Sequence, residues 1–192
     1  MQDSPRISPE YKKLNEGLYK KYPLHYGSRG FKRGSQVWTE FIDYYGLRSE
    51  RVLDYGCGKG TLAKWMKLKK EGFRILGYDP CVSSYANEPE SKDFDGVVCL
   101  DMLEHVEPDL LDNVLKHILS FSSLFFFNIA LCVSNKTLPD GRNAHLIVKD
   151  SLFWKAKLLE HGLICLKEIE NEKTSTNPEL VFYTGVWKKK DE

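Results

Sequence analysis

An acidic residue followed by three evenly spaced glycines is the segment of this sequence best suited to binding chemistry. Residues 52–60 read Val-Leu-Asp-Tyr-Gly-Cys-Gly-Lys-Gly, and a helical pattern follows over residues 61–70. This order predicts a strand, a glycine turn and the start of a helix. Glycines let a ligand approach main-chain atoms, and the first N–H groups of a helix can bind an anionic group. We therefore expect a small ligand at this turn.

A second carboxylate, Asp79, follows the glycine turn along the chain. It ends the short apolar run over residues 74–78 and precedes Pro80. A carboxylate at the end of a second strand can accept hydrogen bonds from both hydroxyls of a ribose. The glycine spacing differs from the Gly-x-Gly-x-x-Gly of dinucleotide folds, and it lacks the Gly-Lys-Ser/Thr ending of a Walker-type phosphate loop. These features favour a ribose-bearing ligand and exclude a Walker loop.

A third segment joins an apolar run to acids and a histidine. Residues 94–100 contain this run, and Asp101, Glu104 and His105 follow before a helical pattern over residues 109–119. In open α/β sheets, ligands bind beyond the carboxyl ends of the strands. Because each of the three segments is a strand that ends in polar residues, we expect them to meet in one crevice.

Together, these segments resemble the class I S-adenosylmethionine (SAM)-dependent methyltransferases. In that family an acid-x-Gly-x-Gly-x-Gly loop cradles the methionine moiety and one face of the ribose, and an acid placed like Asp79 holds the ribose. An acid-x-Leu-Glu-His-Val sequence is common after the fourth strand. The resemblance implies SAM as the cofactor and methyl transfer as the reaction. It implies these cofactor contacts: Tyr26, Asp54, Gly56, Cys57, Gly58, Gly60, Asp79, Pro80, Leu100 and Asp101.

The segment after Asp79 departs from the family. Only fifteen residues separate Asp79 from Asp95, and they include two prolines. A crossover connection needs a dozen or more residues in addition to its strand. We therefore expect no regular third strand. The residues that contact the adenine stay open, with Cys81 and residues 93–94 as candidates.

The remaining patterns predict a single α/β unit. A solid apolar run over residues 124–131 suits a strand covered on both faces, and a helix is expected over residues 151–161. Two strands, residues 163–170 and 180–187, then form a hairpin. The predicted fold is α/β, with a doubly wound sheet of the seven-strand methyltransferase type. We expect this sheet to be shortened at the third-strand edge and to end in an antiparallel C-terminal hairpin.

The N-terminal part of the chain is predicted to be helical. Helices are expected over residues 9–22 and 35–45, with a loop between them. We expect residues 1–50 to cap the cofactor site and residues 51–192 to form the SAM-binding domain, the two making one folded unit. Residues 1–35 hold eight basic and three acidic residues. This excess is explained either by a solvated face or by an anionic acceptor near the cofactor.

Methyl transfer from a sulfonium needs a positioned acceptor and, for some acceptors, a base. His105 is the first candidate because the ordinary pKa of histidine, about 6.5, suits a base at neutral pH. Glu104 and His145 are further catalytic candidates, although Glu104 and His105 could also serve only to shape the cofactor pocket. The long segment after the fifth strand suggests acceptor contacts from Arg142 and Asn143, with His25 as another.

A metal site is the alternative to a metal-free reaction. Asp101, Glu104 and His105 stand at i, i+3 and i+4 and would share one face of a helical turn, and His145 could approach from a neighbouring loop. Two carboxylates and two histidines suit a divalent cation. This set is similar to that of the metal-dependent small-RNA 3′-terminal 2′-O-methyltransferases, which implies RNA as an alternative acceptor. The Leu-Glu-His-Val piece also occurs in many metal-free relatives.

Composition narrows the class of protein. The chain has 192 residues, 42% of them hydrophobic, and a net charge of +1, which allows a sizeable core and gives no global case for nucleic acid. No apolar run has membrane-spanning length, and five cysteines without paired spacing suggest free thiols in the cytoplasm. We expect a cytoplasmic methyltransferase acting on an oxygen or nitrogen of a small acceptor, which the N-terminal charge suggests is anionic. Metal-dependent RNA 2′-O-methylation and a catalytically silent SAM-binding module are the alternatives.

Overall fold

The computed structural model describes residues 5–169 and 182–190, which form one mixed sheet with helices packed on both faces. Helices and strands alternate along most of the chain, as an α/β fold requires. In chain order the elements are α1 (Pro9–Lys21), α2 (Arg29–Val37), β1 (Val52–Tyr55), α3 (Thr61–Lys69), β2 (Leu76–Tyr78), β3 (Gly96–Leu100), α4 (Leu111–Leu119), β4 (Leu124–Ala130), α5 (Ser151–Glu160), β5 (Leu163–Glu168) and β6 (Phe182–Lys189).

The strands of the sheet lie in the order β2-β1-β3-β4-β6-β5. β1 pairs in parallel with β2 and with β3, and β3 pairs in parallel with β4. β6 lies between β4 and β5 and runs antiparallel to both. The predicted doubly wound sheet with its antiparallel C-terminal hairpin is confirmed. The connection from β5 to β6, and the predicted strand ends at residues 170 and 180–181, lie outside the described residues.

β2 forms one edge of the sheet and is only three residues long. Within the described part of the chain no strand pairs with its outer side, and the segment between β2 and β3 contains only a 3₁₀ turn, Ser83–Tyr85. The chain folds back here, since the N–H of Asp79 donates to the carbonyl of Tyr85 at 3.0 Å. The predicted loss of the third strand is confirmed, because too few residues are present for another crossover.

Strand β4 shows why the sheet must be covered on both faces. Phe125, Phe126 and Phe127 are consecutive and fully buried. Phe125 and Phe127 pack with residues of α4 and α5, whereas Phe126 packs with residues of α2 and α3. Side chains alternate between the faces of a strand, and full burial of each phenylalanine stabilises the fold by about 1.5–3 kcal/mol.

Helix α1 follows its prediction closely. It begins after Ser8, whose hydroxyl accepts a hydrogen bond from the N–H of Tyr11 at 3.1 Å, and Pro9 occupies the first helical position. A serine cap followed by proline satisfies the free end of a helix and fixes its first φ angle. Local sequence is therefore sufficient to start this helix.

Helix α2 differs from its prediction. It begins at Arg29, inside the segment predicted as a loop, and continues into a π-helical turn over Trp38–Ile42. The cause is packing: a Cβ at Gly34 would collide with the indole of Trp65 on α3. The glycine that signals a loop in the sequence allows two helices to approach here, and this contact outweighs the cost of about 1 kcal/mol for glycine in a helix.

Two further features bear on the expected class of protein. Among the described helices, none has the length and apolar character needed to cross a membrane. The five cysteines are free thiols, and Cys57, Cys81 and Cys99 are buried.

Candidate active site

A cavity of about 860 Å³ opens at the carboxyl ends of β1, β2 and β3. Side chains from these three strand ends, from α1 and from the segment before α2 form its wall. A ligand site in an open α/β sheet is expected at this position. Of the predicted cofactor contacts, these line the cavity: Tyr26, Asp54, Gly56, Cys57, Asp79, Pro80, Leu100 and Asp101.

The glycine loop reaches the cavity wall at Gly56, whereas Gly58 and Gly60 are buried behind it. Gly56, Gly58 and Gly60 have φ angles of 74°, 54° and 63°, a region that glycine enters without a steric penalty. A Cβ at Gly58 would lie 2.6 Å from the carbonyl oxygen of Gly27. The loop therefore needs glycine both for its turn and for its contact with the N-terminal segment.

Asp79 is buried at the end of β2 and accepts three hydrogen bonds. Its Oδ2 accepts from the N–H of Gly58 and from the hydroxyl of Tyr19, both at 3.0 Å, and its Oδ1 accepts from the N–H of Cys81 at 2.9 Å. Burial raises the pKa of Asp79, and these three bonds oppose that rise. The side chain is held in a fixed orientation at the cavity wall, as a ribose-binding acid requires.

Asp54 lies at the end of β1, between the other two strand ends. Burial is the main cause, and the neighbouring Asp79 the second, of the rise in the pKa of Asp54 to about 8. At neutral pH most molecules therefore carry Asp54 as a neutral carboxyl group.

A glutamate and two histidines meet beyond the end of β3. The potential ligand atoms of Glu104, His105 and His145 all lie within 4.8 Å of one another. The two imidazole rings make an edge contact with their centroids 4.7 Å apart. Because His105 follows β3 and His145 follows β4, the parallel pairing of these strands brings the residues together.

Backbone carbonyls fix the tautomer of both imidazole rings. Nδ1 of His105 lies 2.7 Å from the carbonyl oxygen of Ala144, and Nδ1 of His145 lies 2.6 Å from that of Cys132. A carbonyl oxygen only accepts, so each Nδ1 carries a proton and each Nε2 of the neutral ring offers a lone pair. Metal-binding histidines are commonly held in this way.

Glu104 is fully buried beside the two histidines. Its Oε1 accepts the N–H of Ala130 at 3.0 Å, whereas Oε2 accepts no hydrogen bond within the described residues. Burial, followed by the nearby Asp101 carboxylate, raises the pKa of Glu104 well above its ordinary value. A buried acid facing another acid needs a proton or a cation. The chemistry of this donor set fits a divalent cation.

Asp101 does not join the cluster through the predicted helical spacing. Its φ of 53° is left-handed, and its N–H donates to the carbonyl of Asn128 at 2.7 Å. The helical turn that carries Glu104 and His105 begins only at Leu103. The prediction that Asp101 shares a helical face with Glu104 and His105 is therefore wrong. Asp101 instead lines the cavity.

The three residues predicted to bind the acceptor are placed apart. His25 lines the cavity, whereas Arg142 and Asn143 lie outside its wall. The guanidinium of Arg142 pairs with Asp140 at 2.7 Å. The side-chain oxygen of Asn143 accepts the N–H of His145 at 2.9 Å. Asn143 thus positions a histidine of the cluster, and the charge of Arg142 is balanced by a neighbour in its own turn.

The candidates for the adenine contact also separate. Cys81 lines the cavity. Phe94 is buried in the core against Phe121, and Asp93 pairs with Arg51 at 3.0 Å on the surface. Residues 93–94 are therefore wrong as candidates, because they begin the return to β3 and lie away from the cavity.

Sequence reasoning missed the cavity face of α1. Tyr11, Asn15 and Tyr19 recur at every fourth residue and all line the cavity. The hydroxyl of Tyr11 donates to the carbonyl of His105 at 2.5 Å. Polar tips at helical spacing were the available signal.

Comparison with known proteins agrees with this geometry. A family model described as a methyltransferase domain matches residues 31–166, and a search of curated proteins finds no match. Among similar solved structures is the Burkholderia thailandensis 1,6-didemethyltoxoflavin-N1-methyltransferase with bound 1,6-didemethyltoxoflavin and S-adenosylhomocysteine (SAH). It shares 18% identity and a TM-score of 0.62, over 98% of this chain and 93% of that chain.

Two further structures show the same fold. Magnesium protoporphyrin IX methyltransferase from Synechocystis PCC 6803 with bound SAM shares 15% identity and a TM-score of 0.59, over 97% of this chain and 100% of that chain. The methyltransferase domain of bacterial CtHen1-C shares 16% identity and a TM-score of 0.59, over 85% of this chain and 99% of that chain.

The family match covers most of the chain and includes the glycine loop, Asp79 and the cluster beyond β3. These are the parts that the geometry assigns to ligand binding. The chain belongs to the methyltransferase domain family, and it is a class I methyltransferase that uses SAM.

Proposed function

We propose that this enzyme methylates a hydroxyl oxygen of a small, anionic acceptor and holds a divalent cation at Glu104, His105 and His145. The observation that supports this most strongly is the cluster itself, in which potential ligand atoms of a buried glutamate and two histidines lie within 4.8 Å of one another. His105 and His145 also line the cavity. A hydroxyl is a weak acid, so an oxygen acceptor gains more from a cation than an amine does.

The cofactor is proposed to bind between the glycine loop and Asp79. When bound, SAM supplies a methyl group that is already activated on a sulfonium. We propose that Asp79 accepts hydrogen bonds from the ribose hydroxyls and that the loop of Gly56, Gly58 and Gly60 contacts the methionine moiety. We propose that residues 1–50 cap this site, with support from Tyr19 and Tyr26, which line the same cavity.

The cluster beyond β3 is proposed to act on the acceptor. A divalent cation would supply Lewis-acid activation of a hydroxyl there. Glu104 contributes the negative charge, while the carbonyls of Ala144 and Cys132 hold the Nδ1 atoms of the two rings. Asn143 holds His145 by its backbone. The proposed catalytic residues are therefore His105, Glu104 and His145, as ligands of the cation.

A metal-free reaction is the competing form of the same function. The Nε2 lone pair of neutral His105 can accept a proton from the acceptor, which is the general-base role. One lone pair cannot hold a proton and a cation together, so the two roles exclude each other. A chelator therefore separates them: it abolishes turnover in the first case and leaves turnover unchanged in the second.

The proposed acceptor is small and anionic. Lys32 and Lys136 line the cavity together with His25, and these side chains offer positive charge or hydrogen bonds to an acidic group. A volume of about 860 Å³ must hold both the cofactor and the acceptor, and drug-sized ligands alone occupy about 300–1,000 Å³. Fold neighbours named for small-molecule substrates support the same class.

RNA is the second candidate acceptor. It is supported by the glutamate–histidine cluster, which is similar to that of the small-RNA 2′-O-methyltransferases. The excess of basic residues in the N-terminal segment agrees with it. An affinity for single-stranded RNA that falls steeply with salt would favour this candidate.

A metal-binding experiment tests the proposal without knowledge of the acceptor. Wild-type protein, His145→Asn and the matched control His161→Asn are titrated with Co²⁺ and followed by visible absorption. His161 lies beyond α5 and pairs with Asp112 at 3.0 Å. We expect binding by the wild type and the control, and loss of binding in His145→Asn. Equal binding by all three proteins would contradict the proposed site.

An acceptor screen then separates the alternatives. SAH release is measured with small hydroxyl and amine acceptors and with a short oligoribonucleotide, each with Mn²⁺ and with EDTA. Metal-dependent turnover of a small hydroxyl compound supports the proposal, and metal-dependent turnover of the oligoribonucleotide selects RNA. SAH binding without turnover of any acceptor favours the catalytically silent module. We also propose a cytoplasmic location, which the free thiols support.

A further inference from the structure

Helix α1 presents a polar stripe to the cofactor cavity. Tyr11, Asn15 and Tyr19 follow one another at every fourth residue and line it. Each makes a hydrogen bond within or beside the site. The hydroxyl of Tyr11 donates to the carbonyl of His105, the Oδ1 of Asn15 accepts from the hydroxyl of Tyr26 at 2.7 Å, and the hydroxyl of Tyr19 donates to Asp79. The last of these bonds engages the acid that we assign to the ribose.

The lone pairs of Asp79 can be counted against the donors around it. A carboxylate has about four lone-pair sites. Three of these are taken by the N–H groups of Gly58 and Cys81 and by the hydroxyl of Tyr19. A ribose brings two hydroxyls, so the remaining capacity of Asp79 is one bond short.

We propose that the Tyr19 hydroxyl occupies the hydrogen-bonding position on Asp79 that a ribose hydroxyl takes in the complex. It must therefore leave that carboxylate when the cofactor binds. The contact is thus autoinhibitory: it satisfies the buried acid in the free enzyme and competes with SAM and SAH. This inference goes beyond the proposed reaction, but it rests on the ribose role of Asp79.

Tyr19 is the donor that can move. The two other donors to Asp79 belong to the backbone, one in the glycine loop and one in the turn after β2. The Tyr19 hydroxyl stands at the end of a side chain and can change rotamer without moving the chain. Burial and the nearby Asp79 raise the pKa of Tyr19, so this group stays a neutral donor at physiological pH.

The backbone around Tyr19 is held in place on both sides. Lys59 of the glycine loop donates its N–H to the carbonyl of Gly27 at 3.0 Å, and its Nζ donates to the carbonyls of Tyr22 and Pro23 at 3.0 and 2.7 Å. At the other end of α1, Tyr11 is bonded to the chain at His105. The release is therefore a change of the Tyr19 side chain rather than a lifting of the helix.

Calorimetric titration of four proteins tests the inference. Wild type, Tyr19→Phe, Asp79→Asn and the control Tyr22→Phe are each titrated with SAH, adenosine and 2′,3′-dideoxyadenosine. Tyr22 is a tyrosine of the same segment that lies outside the cavity wall. Adenosine has the ribose diol and the dideoxy compound lacks it, so the pair isolates hydroxyl contacts from those of the base.

The expected result is specific to the diol. Tyr19→Phe lowers the Kd of SAH and adenosine about tenfold, as expected when a competing bond to a charged group is removed, and leaves the Kd of dideoxyadenosine unchanged. Tyr22→Phe leaves all three unchanged. Weaker or equal SAH binding by Tyr19→Phe would overturn the inference, as would an equal gain for all three ligands.

The ribose role itself is tested separately. If Asp79→Asn binds adenosine and dideoxyadenosine as the wild type does, that role fails and the inference fails with it. If Asp79→Asn loses affinity only for the ligands that carry the diol, while Tyr19→Phe gains no affinity for them, the ribose role of Asp79 is supported. The proposed competition by Tyr19 is then refuted. Calorimetric stoichiometry reports the folded fraction of each variant, and Tyr19→Leu carries the same test if Tyr19→Phe does not fold.

Discussion

Two buried carboxylates follow the strands on either side of β1, and their hydrogen-bonding surroundings are opposite. Asp79, after β2, accepts three hydrogen bonds and has its charge distributed among them. Glu104, beyond β3, accepts one N–H at Oε1, while its Oε2 accepts no hydrogen bond within the described residues. Both acids have a raised pKa through burial. Three donors oppose that rise at Asp79, whereas the neighbouring Asp101 carboxylate adds to it at Glu104.

The difference teaches what each acid can bind. A carboxylate that is already surrounded by N–H and O–H donors suits a ligand whose hydroxyls replace one of those donors. A buried carboxylate that faces a second carboxylate and two imidazole rings suits a proton or a positive charge. We therefore propose a nucleoside site at one strand end and a cation site at the other.

The largest effect is expected from removing the charge of Glu104. Glu104→Gln keeps the size of the side chain but removes the anion that balances a divalent cation. We expect at least about a 100-fold loss of turnover with the acceptor found in the screen, in line with the large contribution of a catalytic metal. SAH affinity, measured by calorimetry, should stay within about twofold. A parallel loss of SAH affinity would show that the cofactor site and the cation site are not independent.

The next effect is expected from Asp79. Asp79→Asn removes the negative charge while keeping the shape, and bonds to a charged acceptor contribute about 1.5–3 kcal/mol each. The Kd of SAH should therefore rise about 10- to 100-fold, while Co²⁺ binding followed by absorption stays at the wild-type level. Loss of Co²⁺ binding in this variant would show that the two acids are not independent.

A smaller effect is expected from Asn143, which supports His145. Asn143→Ala removes the acceptor for the backbone N–H of His145, so the ring loses part of its orientation. Changes in groups that orient metal ligands typically cost about 10- to 100-fold in metal affinity, and we expect the lower end. Arg142→Ala is the matched control because Arg142 pairs only with Asp140 in the described contacts. Equal Co²⁺ affinity in Asn143→Ala and wild type would contradict the supporting role.

The last effect is on stability rather than on binding and concerns Asp54, on the strand between the two sites. Its folded pKa of about 8 lies above its ordinary value, so the folded state keeps a proton that the unfolded chain releases at lower pH. The stability from this neutral group is complete in acid and is lost as pH rises toward 8, by at most about 1.4 kcal/mol per pH unit.

Urea unfolding of the ligand-free protein between pH 5 and 8 measures this dependence. The free energy of unfolding should fall more steeply with pH in wild type than in Asp54→Asn, which cannot titrate at this position. Parallel pH profiles of the two proteins would show that Asp54 is already ionised in the folded state.

The sequence was most informative where a function depends on residues close together in the chain. The glycine loop and Asp79 are set by short motifs, and the shortened sheet edge follows from the fifteen residues available. The antiparallel hairpin was predictable from two apolar runs with a turn-rich segment between them. In each case residues close together in the chain determine the feature, so the local sequence pattern was sufficient to predict it.

The rest depends on contacts between distant segments. In the sequence alone Gly34 indicates a loop, but in the structure it allows Trp65 to pack against its helix. Asp101 has a left-handed backbone conformation, so the helical spacing predicted for it is not formed. Arg142 was assigned to the acceptor, but its charge is taken by Asp140 two residues away. The protonation of His105 and His145 is set by carbonyls far along the chain, which no motif records.

The most direct test of two separate sites is a crystal structure with SAH and Co²⁺, using the anomalous signal of the metal. We predict one peak about 2.0–2.2 Å from Oε2 of Glu104 and from Nε2 of His105 and His145, with the ribose of SAH on Asp79. Bound SAH without a metal peak at Glu104, or a peak beside Asp79 instead, would contradict the account.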